Sequence, residues 1–316
     1  MNISVYNFEL RALNSLHLAA FSGPAFRGGF GAVLRQLTCV TGLPDCATCP
    51  VFRDCPFTDL FNCPPPADDA YFKKEANVPR PFVIDAPPTR EVSHGEHIQF
   101  KVVLSGRTAT HLPYVVLAYR QLGLVGFGKG RGRYRLVSVK CVDPLNQRLP
   151  AQIFDGAEQR LYPGNSFSTS LEAVKKHYGA IEARKLIVHF RSPTHLKTRG
   201  RAPQEPPEFE HLMRAVLRRY SDLAALYGEG RPDIDYHDLV DKSGGVRLAG
   251  SNLRYFRQRG FSHRKGEATP TEGLMGSVTY EGELSPFMPY LIFGQWLHVG
   301  KQATFGMGKY ELELAA

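Results

Sequence analysis

Three kinds of residue in this chain could do chemistry: histidines beside glycine-rich stretches, runs of arginine and lysine, and a cluster of cysteines. The densest combination lies in residues 289–314, PYLIFGQWLHVGKQATFGMGKYELEL. The pattern predicts a helix to Leu297, a loop from Val299 to Gly308 and a closing strand from Lys309 to Leu314. Gly300, Gly306 and Gly308 would let the loop backbone approach a ligand. Successive N–H groups beside Lys301 and Lys309 would suit a phosphate. His298 stands just before the loop, where helical spacing would place another apolar residue. Imidazole moves protons near neutral pH, and lysine balances charge that develops on a phosphorane. His298 with Lys301 could therefore cleave RNA without a metal. His17, which follows the first strand near a basic helix entrance, is a second candidate for proton transfer. His195 and His263 sit in basic loops and read as RNA contacts rather than reacting groups.

The basic residues fall in runs. Lys129, Arg131, Arg133 and Arg135 alternate with Gly or Tyr; Lys197 and Arg199 follow a strand end; Arg254 and Arg257 flank Tyr255 and Phe256. Such runs neutralise phosphates, and the aromatic rings can stack on unpaired bases. Arg27 precedes an expected helix over 28–38, whose free N–H groups favour an anion. These residues, with Gly300, Gly306, Gly308 and Lys309, form the expected RNA-binding set. Five cysteines lie between Cys39 and Cys63. The C-x2-C of Cys46 and Cys49 lets two thiolates reach one ion. Cys46, Cys49 and Cys55, with Cys39 or Cys63 as the fourth, are expected to hold a structural zinc or an iron–sulfur cluster. The insert has no histidine, and no cofactor is expected for catalysis. A complete phosphate loop, a Rossmann fingerprint and the acidic cluster of a two-metal nuclease are all missing from the sequence.

Elements that could position these groups come in two copies. Shifted by 176 positions, residues 113–136 lie over residues 289–312 without a gap, and both copies obey G-x-G-[KR]-Y-x-L. Two copies so far apart mean two similar domains rather than a solenoid. In this alignment Leu122 faces His298. The first copy reads strand, helix, strands, helix, strand, the order of a ferredoxin-like unit. The expected class is α+β: two tandem ferredoxin-like (RRM-like) domains over 1–145 and 183–316. The Cys-rich insert occupies 39–66 of the first, and 146–182 is a linker. The alternation in residues 2–10 slips by one, which predicts a bulge near Tyr6 and Asn7.

The chain has 316 residues, room for two domains, and a net charge of +9 that favours a polyanionic partner. No apolar run is long enough for a bilayer, and residues 1–13 lack a signal-peptide pattern. A cytoplasmic protein without membrane contact is expected, as a monomer or homodimer.

Taken together, SGPAFRGGFGAVLRQLTC, CATCPVFRDCPFTDLF, FRSPTHLKTRG, LRYFRQRG, GSVTYEGELSPFMPYL and LHVGKQATFGMGKYELEL resemble one family. It is the CRISPR-associated endoribonucleases that cut precursor CRISPR RNA within its repeats. They are the sixth-protein family of the Cas set, in the RAMP superfamily, and the resemblance is to the branch found with type III systems. It implies two ferredoxin-like domains with RNA on the basic surface between them. It implies metal-independent attack by a 2′-hydroxyl, a 2′,3′-cyclic phosphate product, and transfer of the guide RNA to a CRISPR interference complex. The chain departs from the family at one point. Many members carry the general-base histidine on or just after the first helix, whereas residues 30–60 here contain none. A non-catalytic RAMP subunit that only holds guide RNA would use the same loops and basic faces. A DNA-binding metalloprotein built on the cysteines is a third reading.

Overall fold

The computed structural model describes residues 1–63, 71–72, 78–87, 91–196, 205–259, 261–262, 267–268 and 270–315. The chain divides into two compact units, Met1–Ser168 with Leu223–Gly230, and Thr169–Asp222 with Arg231–Ala316.

The first unit is built on the strand Asn2–Ala12. It pairs antiparallel with His97–Ser105 on one side and Tyr134–Val142 on the other, and Phe82–Asp85 pairs beyond His97–Ser105. The order is second, third, first and fourth strand of a β-α-β-β-α-β unit. Tyr6, Phe8, Leu10 and Ala12 fall on the core face of the central strand. Ile3 and Val5 are buried as well, and alternation places them on the opposite face. Covering both faces removes the need for a bulge at Tyr6 and Asn7. The register shift lies instead between Glu9 and Leu10. The core joins Phe8, Phe26, Phe30, Phe100 and Tyr119, with ring centroids 4.8 to 5.2 Å apart. Each such ring contributes about 1.5–3 kcal/mol by leaving water.

The first helix runs Gly23–Thr38, with Pro24 in its first turn, where a missing N–H costs nothing. It starts five residues before the expected 28–38, because Phe26 already takes the apolar stripe shared with Phe30, Val33 and Leu34. Residues 146–182, read as a linker, carry structure. Ala151–Asp155 and Arg160–Leu161 extend the first sheet, and Leu171–Tyr178 is a helix capped by the Ser170 hydroxyl.

The second unit repeats the plan. Its sheet runs Arg247–Gln258, Thr271–Glu281, Lys185–Thr194, Tyr310–Leu314, again second, third, first and fourth. Phe209 packs edge-on against Tyr280 and Phe287, at 5.1 Å in both cases. The repeat tyrosine does the same work in both units. Tyr134 donates to the Tyr119 carbonyl at 2.7 Å, and Tyr310 to the Leu291 carbonyl at 2.6 Å. Full burial pushes both phenols well above their ordinary range, so each remains a donor that ties the closing strand to the preceding helix.

Candidate functional site

The C-terminal loop follows the helix Met288–Leu297. His298 caps that helix with a left-handed φ of 56° and is 3% exposed. Its Nδ1 lies 3.1 Å from the Met307 carbonyl. The ring is thus folded inside the loop it precedes. The glycines also have internal reasons. A Cβ on Gly308 would stand 1.8 Å from the Val299 carbonyl, and one on Gly300 would stand 2.4 Å from the His195 carbonyl. The Gly306 N–H donates to Ala303, that of Gly308 to Pro193, and that of Lys309 to the Ser192 hydroxyl. These N–H groups hold the loop shut rather than line an anion cradle. Within residues 300–308, Lys301 is the exposed residue.

Tight closure brings in a histidine that its sequence context places among plain RNA contacts. His195 follows the first strand of this unit and is half-buried. Its carbonyl accepts the Lys301 N–H at 3.0 Å. Burial first, then the Lys301 ammonium, hold the imidazole below its usual range, against a smaller opposing pull from Glu272. The sequence signal is faint: a histidine directly after an apolar strand, whose facing loop is known only once the strand order is known.

The first unit has a matching corner with different character. The helix Leu112–Val125 ends at Gly126, and the following loop carries Lys129, Arg131 and Arg133, all exposed. His17 pairs with Lys129 in an isolated antiparallel bridge and is exposed beside Glu91, 3.6 Å away. The Arg133 N–H donates to Asn14 Oδ1 at 2.6 Å. Structure therefore groups His17 with the first basic run, an association the sequence left open.

The other expected residues divide. Arg254 and Arg257 are exposed on the edge strand Arg247–Gln258, with Tyr255 between them, and Arg257 Nε lies 3.5 Å from Glu272. Arg27 lies inside the first helix, not before it, and its guanidinium sits over the Phe61 ring at 5.0 Å. This corrects its placement at a helix entrance. Lys197 and Arg199 lie outside the described residues. Cys39, Cys46, Cys49 and Cys55 line one cavity with Arg35 and Phe57. Among the described residues, however, no three metal-ligating side chains are gathered as a metal group, so a formed zinc or iron–sulfur site is absent there.

The fold and these corners define a tandem ferredoxin-like protein with cation-bearing glycine loops. The model of the CRISPR-associated endoribonuclease Cas6 family matches residues 188–310, and a family model described as an N-terminal domain matches residues 1–166. Residues 188–310 thus carry a Cas6 endoribonuclease domain, and the chain is a CRISPR RNA processing endoribonuclease of Cas6 type. An uncharacterised protein of Archaeoglobus fulgidus is 26% identical over 303 residues, covering 94% of this chain and 93% of its own. A product complex of Thermus thermophilus Cas6 is similar with a TM-score of 0.58 at 16% identity, covering 98% of this chain and 100% of that one. A RAMP protein described as binding different RNA substrates gives 0.50 at 10% identity, covering 98% and 99%. At these identities the solved structures speak to the fold. No described helix is long and apolar enough to cross a membrane.

Proposed function

We propose that this chain cuts precursor CRISPR RNA within its repeats by attack of a ribose 2′-hydroxyl on the adjacent phosphate, with no metal ion in the reaction. The O2′–P bond forms as the P–O5′ bond breaks. One proton leaves the 2′-hydroxyl and one reaches the departing 5′-oxygen. The upstream product then ends in a 2′,3′-cyclic phosphate, and the guide RNA passes to an interference complex. The supporting observation is Lys301: an exposed cation whose own backbone is pinned by a closed loop. A fixed charge costs no reorganisation when the phosphorane forms. Lys129, Arg131, Arg133, Arg254 and Arg257 hold phosphates in this reading, and Tyr255 offers a stacking face. His17 is a second place for proton transfer, favoured by its bridge to Lys129.

Cleavage of end-labelled repeat RNA in EDTA tests the reading. Wild type should cut, leave the cyclic phosphate, and stop at a 2′-deoxy substitution at the cut site. Cutting that requires Mg²⁺ or passes through the deoxy substitution overturns it. A separate proposal concerns the cysteines: Cys39, Cys46, Cys49 and Cys55 close on one structural zinc. It is supported by the cavity they share and by the tetrahedral, thiolate-rich preference of that ion.

A further inference from the structure

We propose that His195 is the base that takes the 2′-hydroxyl proton, working beside Lys301 on the C-terminal glycine loop. The inference rests on the metal-independent reading above. It starts from how firmly His195 is placed. Thr194 and Leu196, on either side, are buried. The His195 carbonyl holds the Lys301 N–H at 3.0 Å, and Gly300, at a φ of 78°, passes so close that a Cβ would meet that carbonyl. From the other side, Gly273 passes close enough that a Cβ would stand 2.6 Å from the Thr194 carbonyl, and Glu272 precedes it on the same strand. Lys301 and Glu272 thus bear on the imidazole from two different elements, and among the described residues they are the charged groups that do so. Glu272 also takes a hydrogen bond from the Tyr255 hydroxyl and pairs with Arg257. One carboxylate therefore links the imidazole to the exposed cationic edge strand.

The chemistry follows from this setting. A general base must be unprotonated at the working pH, fixed in place and open to substrate. Half-burial and Lys301 keep the His195 imidazole neutral to lower pH than an ordinary histidine. The same ammonium stands ready for the phosphorane that forms when the proton leaves. His298 fails the last requirement, because its ring is buried and turned to the Met307 carbonyl.

Single-turnover cleavage in EDTA across about pH 5 to 9 decides the matter. His195→Ala should cut about 10²- to 10⁴-fold more slowly while binding RNA as wild type does. Added imidazole should return part of the rate, and the acidic limb of the pH profile should vanish. The charged neighbours supply a second readout. Lys301→Met removes a repelling cation, so the limb of its residual activity should move to higher pH. Glu272→Gln removes an attracting anion, so its limb should move lower. If His195→Ala keeps the wild-type rate and limb while the product is still a cyclic phosphate, His195 is not the base and the metal-independent reading stands. If wild type needs Mg²⁺ or cuts 2′-deoxy RNA, that reading falls and takes this one with it. Should His195→Ala melt early, the other two variants carry the test: a limb that ignores both excludes His195 as its source.

Discussion

The two glycine loops share a sequence signature and a place in their units. Each runs from the second helix to the closing strand, and each touches the segment after the first strand, at His17 in one and His195 in the other. Their last glycines act alike, since Gly132, the counterpart of Gly308, is buried too and a Cβ there would stand 2.4 Å from Leu16 Cδ2; the residues before it differ. In the first unit, Gly128, Lys129, Gly130 and Arg131 are all exposed, and a Cβ on Gly130 would meet nothing nearer than His17 Cδ2 at 3.9 Å. In the second, Gly306 and Gly308 are buried, and Gly308 admits no Cβ beside Val299. One loop is an open cationic rim. The other is a close-packed support that presents Lys301 and fixes His195. A repeated motif has thus kept its fold-closing tyrosine while its two surfaces differ, and in our proposal one grips RNA and the other carries the reaction.

The sharpest way to break this comparison is to remove charge from each loop in turn. Lys301→Ala should slow single-turnover cleavage about 10²- to 10³-fold with little change in affinity. The triple change of Lys129, Arg131 and Arg133 to Ala should instead weaken binding. It should flatten the dependence of log affinity on log salt by about 0.7 for each phosphate no longer neutralised, and leave the saturated rate intact. Loss of rate from the first loop and of affinity from the second would reverse the assignment. The next largest effect is on stability. Gly308→Ala adds a side chain at a left-handed φ of 72° against a carbonyl, so it should cost at least about 1–3 kcal/mol and lower Tm by several degrees. Gly130→Ala has a φ of 84° but open space, so it should cost about 1–2 kcal/mol. Paired melting curves check the order.

Much of the fold was legible because it is written in periodicity and repetition. The gapless repeat announced two like units, and the closing strand expected from Lys309 to Leu314 is the strand Tyr310–Leu314. The site was less legible. His298 stood out because it replaced an apolar residue in a helix pattern, yet that position was buried for the same reason. Burial inside the loop turned the apparent anomaly into a framework contact. The glycines of the second loop signalled close approach correctly, but the approach is to the protein's own carbonyls. His195 read as a plain RNA contact because Lys301 and Glu272 are distant in sequence: strand pairing brings Glu272 near it, and closure of the C-terminal loop brings Lys301. Arg27 was misplaced by a helix boundary, the feature of a sequence least constrained by periodicity.

The cysteine cavity offers the smallest expected effect on cleavage, and that is its use. If the zinc proposal holds, purified protein should carry about one zinc per chain, and the Cys46→Ser, Cys49→Ser double variant should lose it. Cys63 is a built-in control. It is outside the cavity, and burial pushes its thiol up, whereas N–H groups of Gly42 and Thr41 draw the Cys39 thiol down toward the thiolate that binds metal. Cys39 should therefore react with iodoacetamide faster than Cys63 in metal-free protein, and zinc should protect Cys39 alone. Cleavage in EDTA should stay within a few-fold of wild type in the double variant, because the cavity belongs to the first unit while the proposed base and cation belong to the second. Metal-free protein with both thiols equally reactive would leave the cysteines as packing residues. A large loss of cleavage in the double variant would strike at the comparison itself, since it would tie the reaction to the unit assigned here to holding RNA.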